Sequence, residues 1–404
     1  MKILTLHYIM KNGRGEQLEE ATTSFLHGSS ALSPLLQSQL EGLQPTDKKI
    51  IALPKGAEGA DDDFSFEVTL MAVRDATPAE IHAGHYLPFT KIHLLSGFLG
   101  AGKTTAIEQA SQYLQKQNIP IAVITNDQGD RLVDGNRFLH LGIPSREVSG
   151  GCLCCNYNTL EENIGMLTTA TRPAMVFAES VGSCTDIIAT VLKPLLDRHP
   201  EWQPTISVFA DAHLLDASIH DPTIRYIYQK QLEEAQILAI TRSEGFPGQW
   251  KKEVRARFPG KTILFHNSYK ETDIRRWLDT LESLPPRPVL PSLDIDYDIY
   301  AEGEARLAWL DQELAVDSEQ AANHLMTALH DKLEKENFPV RRLKFWQTPT
   351  TLLINARVQT DRLTLMQIVA DAIAEMTTLY QCDIRTINYN CFQPGYPKPQ
   401  HRIA

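Results

Sequence analysis

The run KIHLLSGFLGAGKTTAIEQA, residues 91–110, constrains this chain more than any other. An apolar strand leads into a glycine-rich loop and then a helix. Gly97, Gly102, Lys103 and Thr104 satisfy G-x-x-x-x-G-K-[ST]. Gly100 and Gly102, with Ala101 between them, let backbone N–H groups turn toward phosphates. The helix that follows adds the positive end of its dipole. Lys103 suits the β- and γ-phosphates, the Thr104 hydroxyl suits Mg²⁺, and Thr105 suits the α-phosphate. The competing reading is a chance match in a strand–turn–helix; correct flanks on both sides weigh against it. The segment predicts an α/β P-loop domain that binds a nucleoside triphosphate.

The rest of the chain is read around that domain. Its 404 residues exceed one ordinary core. Residues 90–288 alternate strand and helix, with strand-like runs at Lys91–Leu95, Ile121–Thr125, Ala174–Ala178, Thr205–Ala210, Ile237–Ile240 and Thr262–Phe265. This rhythm predicts a mainly parallel sheet covered by helices. A stiff proline-rich linker follows at Pro285–Pro291. Residues 297–404 read as strand (Ala305–Leu310), helix (Glu319–Glu336), strands (Val340–Phe345, Thr351–Val358), helix (Thr364–Tyr380) and strand (Asp383–Asn388). That βαββαβ order predicts a ferredoxin-like α+β sandwich, and the proline-rich tail from Pro394 is expected to be loose. Residues 1–87 read as a small α+β domain: a strand (Lys2–Met10), a helix (about Glu16–Leu43) and strands at Lys49–Leu53 and Phe64–Val73. No site chemistry is visible in it.

The formal net charge is −11 and no basic stripe is visible, so no nucleic-acid partner is expected. No stretch of 18 apolar residues exists, so no membrane-spanning helix is expected. His7 and Lys11 break the apolar start, which lacks the core of a signal peptide. A cytoplasmic location follows, in which the six cysteines stay thiols.

Two further segments carry chemistry. AMVFAESVG delivers Glu179 at the carboxyl end of a strand, where open α/β sheets bind ligands. Glu179 suits Mg²⁺ or an attacking water, and Gly182 can offer its N–H to a γ-phosphate. The alternative is a glutamate that caps the next helix. VSGGCLCCNYN sets Cys152, Cys154 and Cys155 in a C-x-C-C pattern. Thiolates suit Zn²⁺, Cu(I) or iron–sulfur centres, and Gly150 and Gly151 let near neighbours converge on one ion. Three ligands leave a fourth position open to Asp127, Asp130, a histidine or a partner. Cys184, Cys382 and Cys391 read as packed core thiols, and His213, His220 and His266 as structural.

Together SGFLGAGKTT, Asn126-Asp127-Gln128-Gly129-Asp130, GGCLCC and Glu179-Ser-Val-Gly182 resemble the CobW-like branch of the CobW/HypB/UreG P-loop GTPases. The resemblance covers about residues 90–270 and extends loosely to the C-terminal domain. It implies metal-dependent GTP hydrolysis coupled to insertion or delivery of zinc or cobalt, with the cargo on Cys152, Cys154 and Cys155. It also implies that Asn126–Asp130 corresponds to the family's N-E-x-G-E segment, with the shorter Asp at both acidic positions. The family's base-reading N-K-x-D is replaced by Thr241-Arg242-Ser243-Glu244. Arg242 can stack on a base, and Glu244 can accept from guanine across one extra methylene. ATP therefore stays open beside GTP. The family's histidine-rich loop is absent, and the acidic run Asp61–Asp63 is a poor substitute for it.

The expectation is an Mg²⁺-dependent nucleoside triphosphatase, GTP favoured, that couples hydrolysis to transfer of Zn²⁺ or Co²⁺. Lys103, Glu179 and Asp127 carry the chemistry, and Arg242 and Glu244 meet the base. The partners are the nucleotide and a client metalloprotein that the sequence does not identify; homo-oligomers stay open. The rival is a nucleotide- and metal-binding regulator with negligible turnover. A small-molecule kinase would need a lid rich in arginine, and Arg341-Arg342 alone fit that poorly.

Overall fold

In the computed structural model the chain is described except at residues 77–79, 82–83, 87–89, 128–132, 200, 217–218, 286–289 and 318. It divides into two compact units, the first of residues 1–89 with 199–201 and the second of 90–198 with 202–404.

In the first unit β1 (Lys2–Asn12) pairs antiparallel with β2 (Gln17–Leu26). A short helix, α1 (Pro34–Leu40), leads to β3 (Lys48–Leu53) and β4 (Phe64–Asp75), giving the sheet order β2-β1-β4-β3. Of the helix expected over Glu16–Leu43, Gln17–Leu26 is instead a strand and only Pro34–Leu40 is helical. The cause lies just upstream. Asn12 Oδ1 accepts from the Arg14 and Glu16 amides, both at 3.0 Å, and Gly15 has φ +79°. That turn sends the chain back along β1, from Lys11 opposite Gln17 to Ile3 opposite Leu26. Pairing with β1 overrides the helix-like composition of Gln17-Leu-Glu-Glu-Ala21.

The second unit holds a seven-stranded, wholly parallel sheet: β5 (Thr90–Ser96), β6 (Ile121–Asn126), β7 (Ser145–Val148), β8 (Met175–Glu179), β9 (Trp202–Asp211), β10 (Ile237–Thr241) and β11 (Thr262–His266). The order is β11-β10-β9-β5-β8-β6-β7. Helices connecting these strands include α2 (Lys103–Gln115), α3 (Val133–His140), α4 (Tyr157–Thr171), α5 (Lys193–Arg198), α6 (Ala212–Asp216), α7 (Pro222–Glu234) and α8 (Gly248–Arg257), and α9 (Glu271–Glu282) follows the last of them. Two apolar clusters cover the two faces of the sheet. The inner strands β6, β8 and β10 are wholly buried, as parallel strands covered on both faces must be, whereas the edge strand β7 exposes Arg146 and Glu147. Strand β7, only four residues long, was not legible from periodicity.

A helix, α10 (Tyr297–Ala305), then packs on α7, where Gly303 lies so close that a Cβ would sit 2.8 Å from the Thr223 carbonyl. The strand expected at Ala305–Leu310 thus begins later, as β12 (Ala308–Val316). It is followed by α11 (Glu319–Lys335), β13 (Arg341–Gln347), β14 (Thr351–Val358), α12 (Arg362–Tyr380) and β15 (Ile384–Phe392). The sheet is antiparallel in the order β13-β14-β12-β15, which is the ferredoxin-like arrangement. Its helices close a core of their own, while Trp309 belongs to the core beneath the parallel sheet.

The tail expected to be loose is tied down. The Gln400 amide donates to the Cys154 carbonyl at 3.0 Å and the Ile403 amide to the Ala189 carbonyl at 2.9 Å. Arg402 Nε pairs with Asp186 at 2.8 Å, and His401 stacks edge-on against Tyr157. Among the described residues no helix is long and apolar enough to cross a membrane.

Candidate nucleotide and metal site

A parallel sheet gathers the carboxyl ends of its strands along one edge, where loops can meet a ligand. Here that edge carries Ser96, Asn126, Val148, Glu179, Asp211, Thr241 and His266. The glycine-rich loop leaves β5 with Gly97 at φ +127°, where a Cβ would lie 2.1 Å from the Phe209 carbonyl oxygen; only glycine passes β9 at this distance. Gly100 and Gly102 also hold positive φ, at 77° and 93°. Lys103 curls over the loop and donates to the Gly97 carbonyl at 2.6 Å. Its ammonium is thus already above the loop that would hold phosphates.

Thr104 opens α2 and donates to both Glu179 oxygens, at 2.7 and 2.8 Å. Both side chains are buried. Glu179 meets Thr104 instead of capping a helix. A hydroxyl and a carboxylate side by side next to the phosphate loop are the hard oxygen donors Mg²⁺ takes, so the residues fit that ion. One contact was not legible in the sequence: Lys344 Nζ, from β13, reaches within 2.9 Å of Thr104 Oγ1.

Gly182 packs against the loop, since a Cβ there would lie 2.6 Å from Leu99 Cδ2 and 3.0 Å from its amide nitrogen. Arg242 has a left-handed backbone, φ 55°, which costs a non-glycine residue of order 1 kcal/mol. Its guanidinium bonds the Gly100 carbonyl and lies 3.3 Å from Asp211. Glu244 accepts from Asn267 Nδ2. Gly100, Ala101, Gly102, Thr105, Arg242 and Glu244 all line one cavity of about 470 Å³, together with His266 and Tyr269. The glycine-rich loop and the segment 241–244 thus share one cavity. Asn267 and Tyr269 were missed by sequence reasoning, because they follow β11 with no motif to mark them.

Asp127 is the end of a buried ion triad. Arg357, on β14, donates to Asp127 at 2.6 Å and to Asp311, on β12, at 2.7 Å. Its guanidinium also stacks 4.4 Å above the Trp309 ring. Asp127 therefore faces the C-terminal sheet. Asp130 lies outside the described residues.

The cysteine run forms a tight turn after β7. The Cys155 and Asn156 amides both donate to the Cys152 carbonyl, and Gly150 has φ +72°. Cys152 Sγ lies 3.2 Å from Cys155 Sγ, and Cys154 Sγ lies 3.8 Å from Cys155 Sγ. Cys184, read from sequence as a core thiol, lies with its Sγ 3.8 Å from Cys154. Hydrogen bonds from Cys152 and Cys154 pull the Cys184 thiol down to about 6, against its burial. The hydrogen bond Cys155 shares with Cys152 is the chief reason its thiol rises to about 11. The converging soft donors fit a thiophilic cation. Asn126 braces this cluster. Its Nδ2 donates to the Val148 and Gly151 carbonyls at 2.8 and 2.7 Å, and its Oδ1 accepts from the Val181 amide at 3.2 Å.

Residues 91–258 match the family model described as the nucleotide-binding domain of CobW/HypB/UreG. The zinc chaperone YeiR of Escherichia coli (strain K12) is 27% identical over 159 residues, 38% of this chain and 47% of that protein. The zinc chaperone CobW of a Sinorhizobium species is 24% identical over 197 residues, 42% of this chain and 55% of that one. This chain thus aligns with about half the length of these curated relatives. A crystal structure of the Zn(II)-bound YjiA GTPase from E. coli aligns with 72% of this chain and 99% of that one, at 17% identity and a TM-score of 0.33. With its phosphate loop, carboxylate and cysteine run in this order, the segment 91–258 belongs to the CobW/HypB/UreG family of nucleotide-binding domains.

Proposed function

We propose that this protein is a nucleoside triphosphatase, GTP favoured, that couples hydrolysis to binding and transfer of Zn²⁺ or Co²⁺ to a client metalloprotein. One observation carries the coupling. Asn126 bonds both the loop that bears Cys152 and the loop that runs on from Glu179. A change at the phosphate site then has a short mechanical route to the thiols.

In this reading the loop amides and Lys103 bind the triphosphate, and Gly182 meets its end. Glu179 and Thr104 hold Mg²⁺, which supplies charge neutralisation at the phosphates when bound. Arg242 swings from Gly100 to the base, and Glu244 or Asn267 meets the base edge. Cys152, Cys154 and Cys155 bind the cargo ion. The names of the zinc-chaperone relatives support zinc as that cargo.

A regulator with negligible turnover is favoured by the engagement of Asp127 with Arg357, which leaves water positioning to other groups. Phosphate release from GTP and ATP, with and without zinc, separates the two. The triphosphatase reading expects zinc-sensitive release, faster with GTP, that falls about 100-fold or more in Lys103→Ala. Release equal in wild type and variant would overturn it in favour of the regulator.

A further inference from the structure

The cysteine run supplies three thiols, and 28 residues lie between its end at Cys155 and the next cysteine, Cys184. The fold cancels that separation. Cys152–Cys155 follow β7 and Cys184 follows β8, two parallel strands of one sheet, so both loops emerge on the same edge. The Cys154 and Cys184 sulfurs lie 3.8 Å apart, the same distance as Cys154 and Cys155. The sulfurs of Cys152, Cys154 and Cys184 all lie within 4.8 Å of one another. In a tetrahedral site with metal–sulfur bonds of about 2.3 Å, the sulfurs are separated by about 3.8 Å. A disulfide needs about 2.05 Å, and all four cysteines are free thiols.

The surroundings hold this geometry. Gln231 Nε2 donates to the Gly182 and Cys184 carbonyls at 3.0 and 2.8 Å, which fixes the second loop. Asn126 fixes the spacing of that loop from the first. The Lys398 amide donates to Cys155 Sγ at 3.2 Å, the kind of bond that stabilises thiolate charge. Cys152, Cys154 and Cys184 are buried and Cys155 is half-buried, so Cys155 is the corner through which an ion exchanges.

From this arrangement we infer that Cys184 is the fourth ligand of a four-thiolate site for a soft, tetrahedral divalent cation of the zinc class. The inference rests on the metal-handling reading of the cysteine run and adds to it a closed coordination shell. The cargo ion is then held on four sulfurs, and its departure requires one thiolate, at the Cys155 corner, to let go. A three-ligand site with an outside fourth donor would instead stand open at all times.

The test uses the reduced full chain with zinc as the probe, measured by X-ray absorption. The expected shell is four sulfurs at about 2.3 Å. Cys184→Ser is expected to show three sulfurs and one lighter donor, with affinity lower by about 100-fold. A wild-type shell of three sulfurs and one lighter donor overturns the inference whether or not the variant folds, and leaves the metal reading intact. A wild-type shell of four sulfurs that Cys184→Ser leaves unchanged also overturns it. Failure of the wild type to bind zinc at all overturns the metal reading itself.

Discussion

At the scale of single residues, His93 shows how the phosphate loop is supported from below. It sits on β5, wholly buried, with Nδ1 2.7 Å from Thr205 Oγ1. Burial, with Lys91 adding, pushes its ionisation down to about 3 from the ordinary 6.5. The folded protein thus holds His93 neutral. Its contribution is complete above pH 6.5 and is lost as pH falls from there toward 3, because the unfolded chain takes up the proton first. By linkage this amounts to about 2 kcal/mol at pH 5 relative to pH 8. His93→Leu keeps an apolar side chain in the same space without the proton. Urea unfolding at the two pH values is therefore expected to show an acid loss in the variant smaller by about that amount. Equal acid losses in both proteins would mean that another group carries the effect.

At the scale of elements, the segment after β15 does more than finish the chain. Residues 397–404 run beside the cysteine turn, with backbone bonds to Cys155 Sγ and the Cys154 carbonyl and an anchor from Arg402 to Asp186. Deleting them is expected to raise the rate at which a chelator strips zinc by about 10-fold or more, with GTP affinity unchanged. An unchanged stripping rate would reduce the segment to packing. The looseness expected of it came from its prolines, and proline content does not reveal partners elsewhere in the fold. The same limit explains the other misreadings. Gln17–Leu26 looks helical in isolation and is made a strand by its pairing with β1. Cys184 looks solitary and gains the sulfurs of Cys152 and Cys154 as neighbours only when β7 and β8 join one sheet. What was legible had local causes: the phosphate loop, set by glycines whose φ values are positive, and the βαββαβ order of the last domain, set by apolar periodicity. Lys344 and Arg357 were not legible, because a cation on a strand carries no local mark of the site it will reach.

At the scale of the whole second unit, the segments that carry Thr104 and Glu179 and the thiol-bearing loops are parts of one network. Thr104 bonds Glu179; five residues later in the same loop Cys184 lies beside Cys154; and Asn126 bonds the backbone of both loops. The C-terminal sheet joins through Lys344 at Thr104 and Arg357 at Asp127. If triphosphate binding moves the Glu179 loop, the thiols shift with it, and the ion's affinity changes. Thermodynamic linkage then requires the ion to change triphosphate affinity by the same factor, commonly about 5–150-fold. Titrating zinc into the full chain with and without a non-hydrolysable GTP analogue measures one side of the square; titrating the analogue into apo and zinc-loaded protein measures the other. Wild type is expected to give two unequal affinities on each side and the same ratio on both. Asn126→Ala keeps every proposed phosphate and metal ligand but removes the brace between the loops, so its two ratios are expected to fall toward one. Ratios of one in the wild type would end the coupling; a ratio in Asn126→Ala as large as in the wild type would instead move the route to the Glu179–Cys184 loop alone.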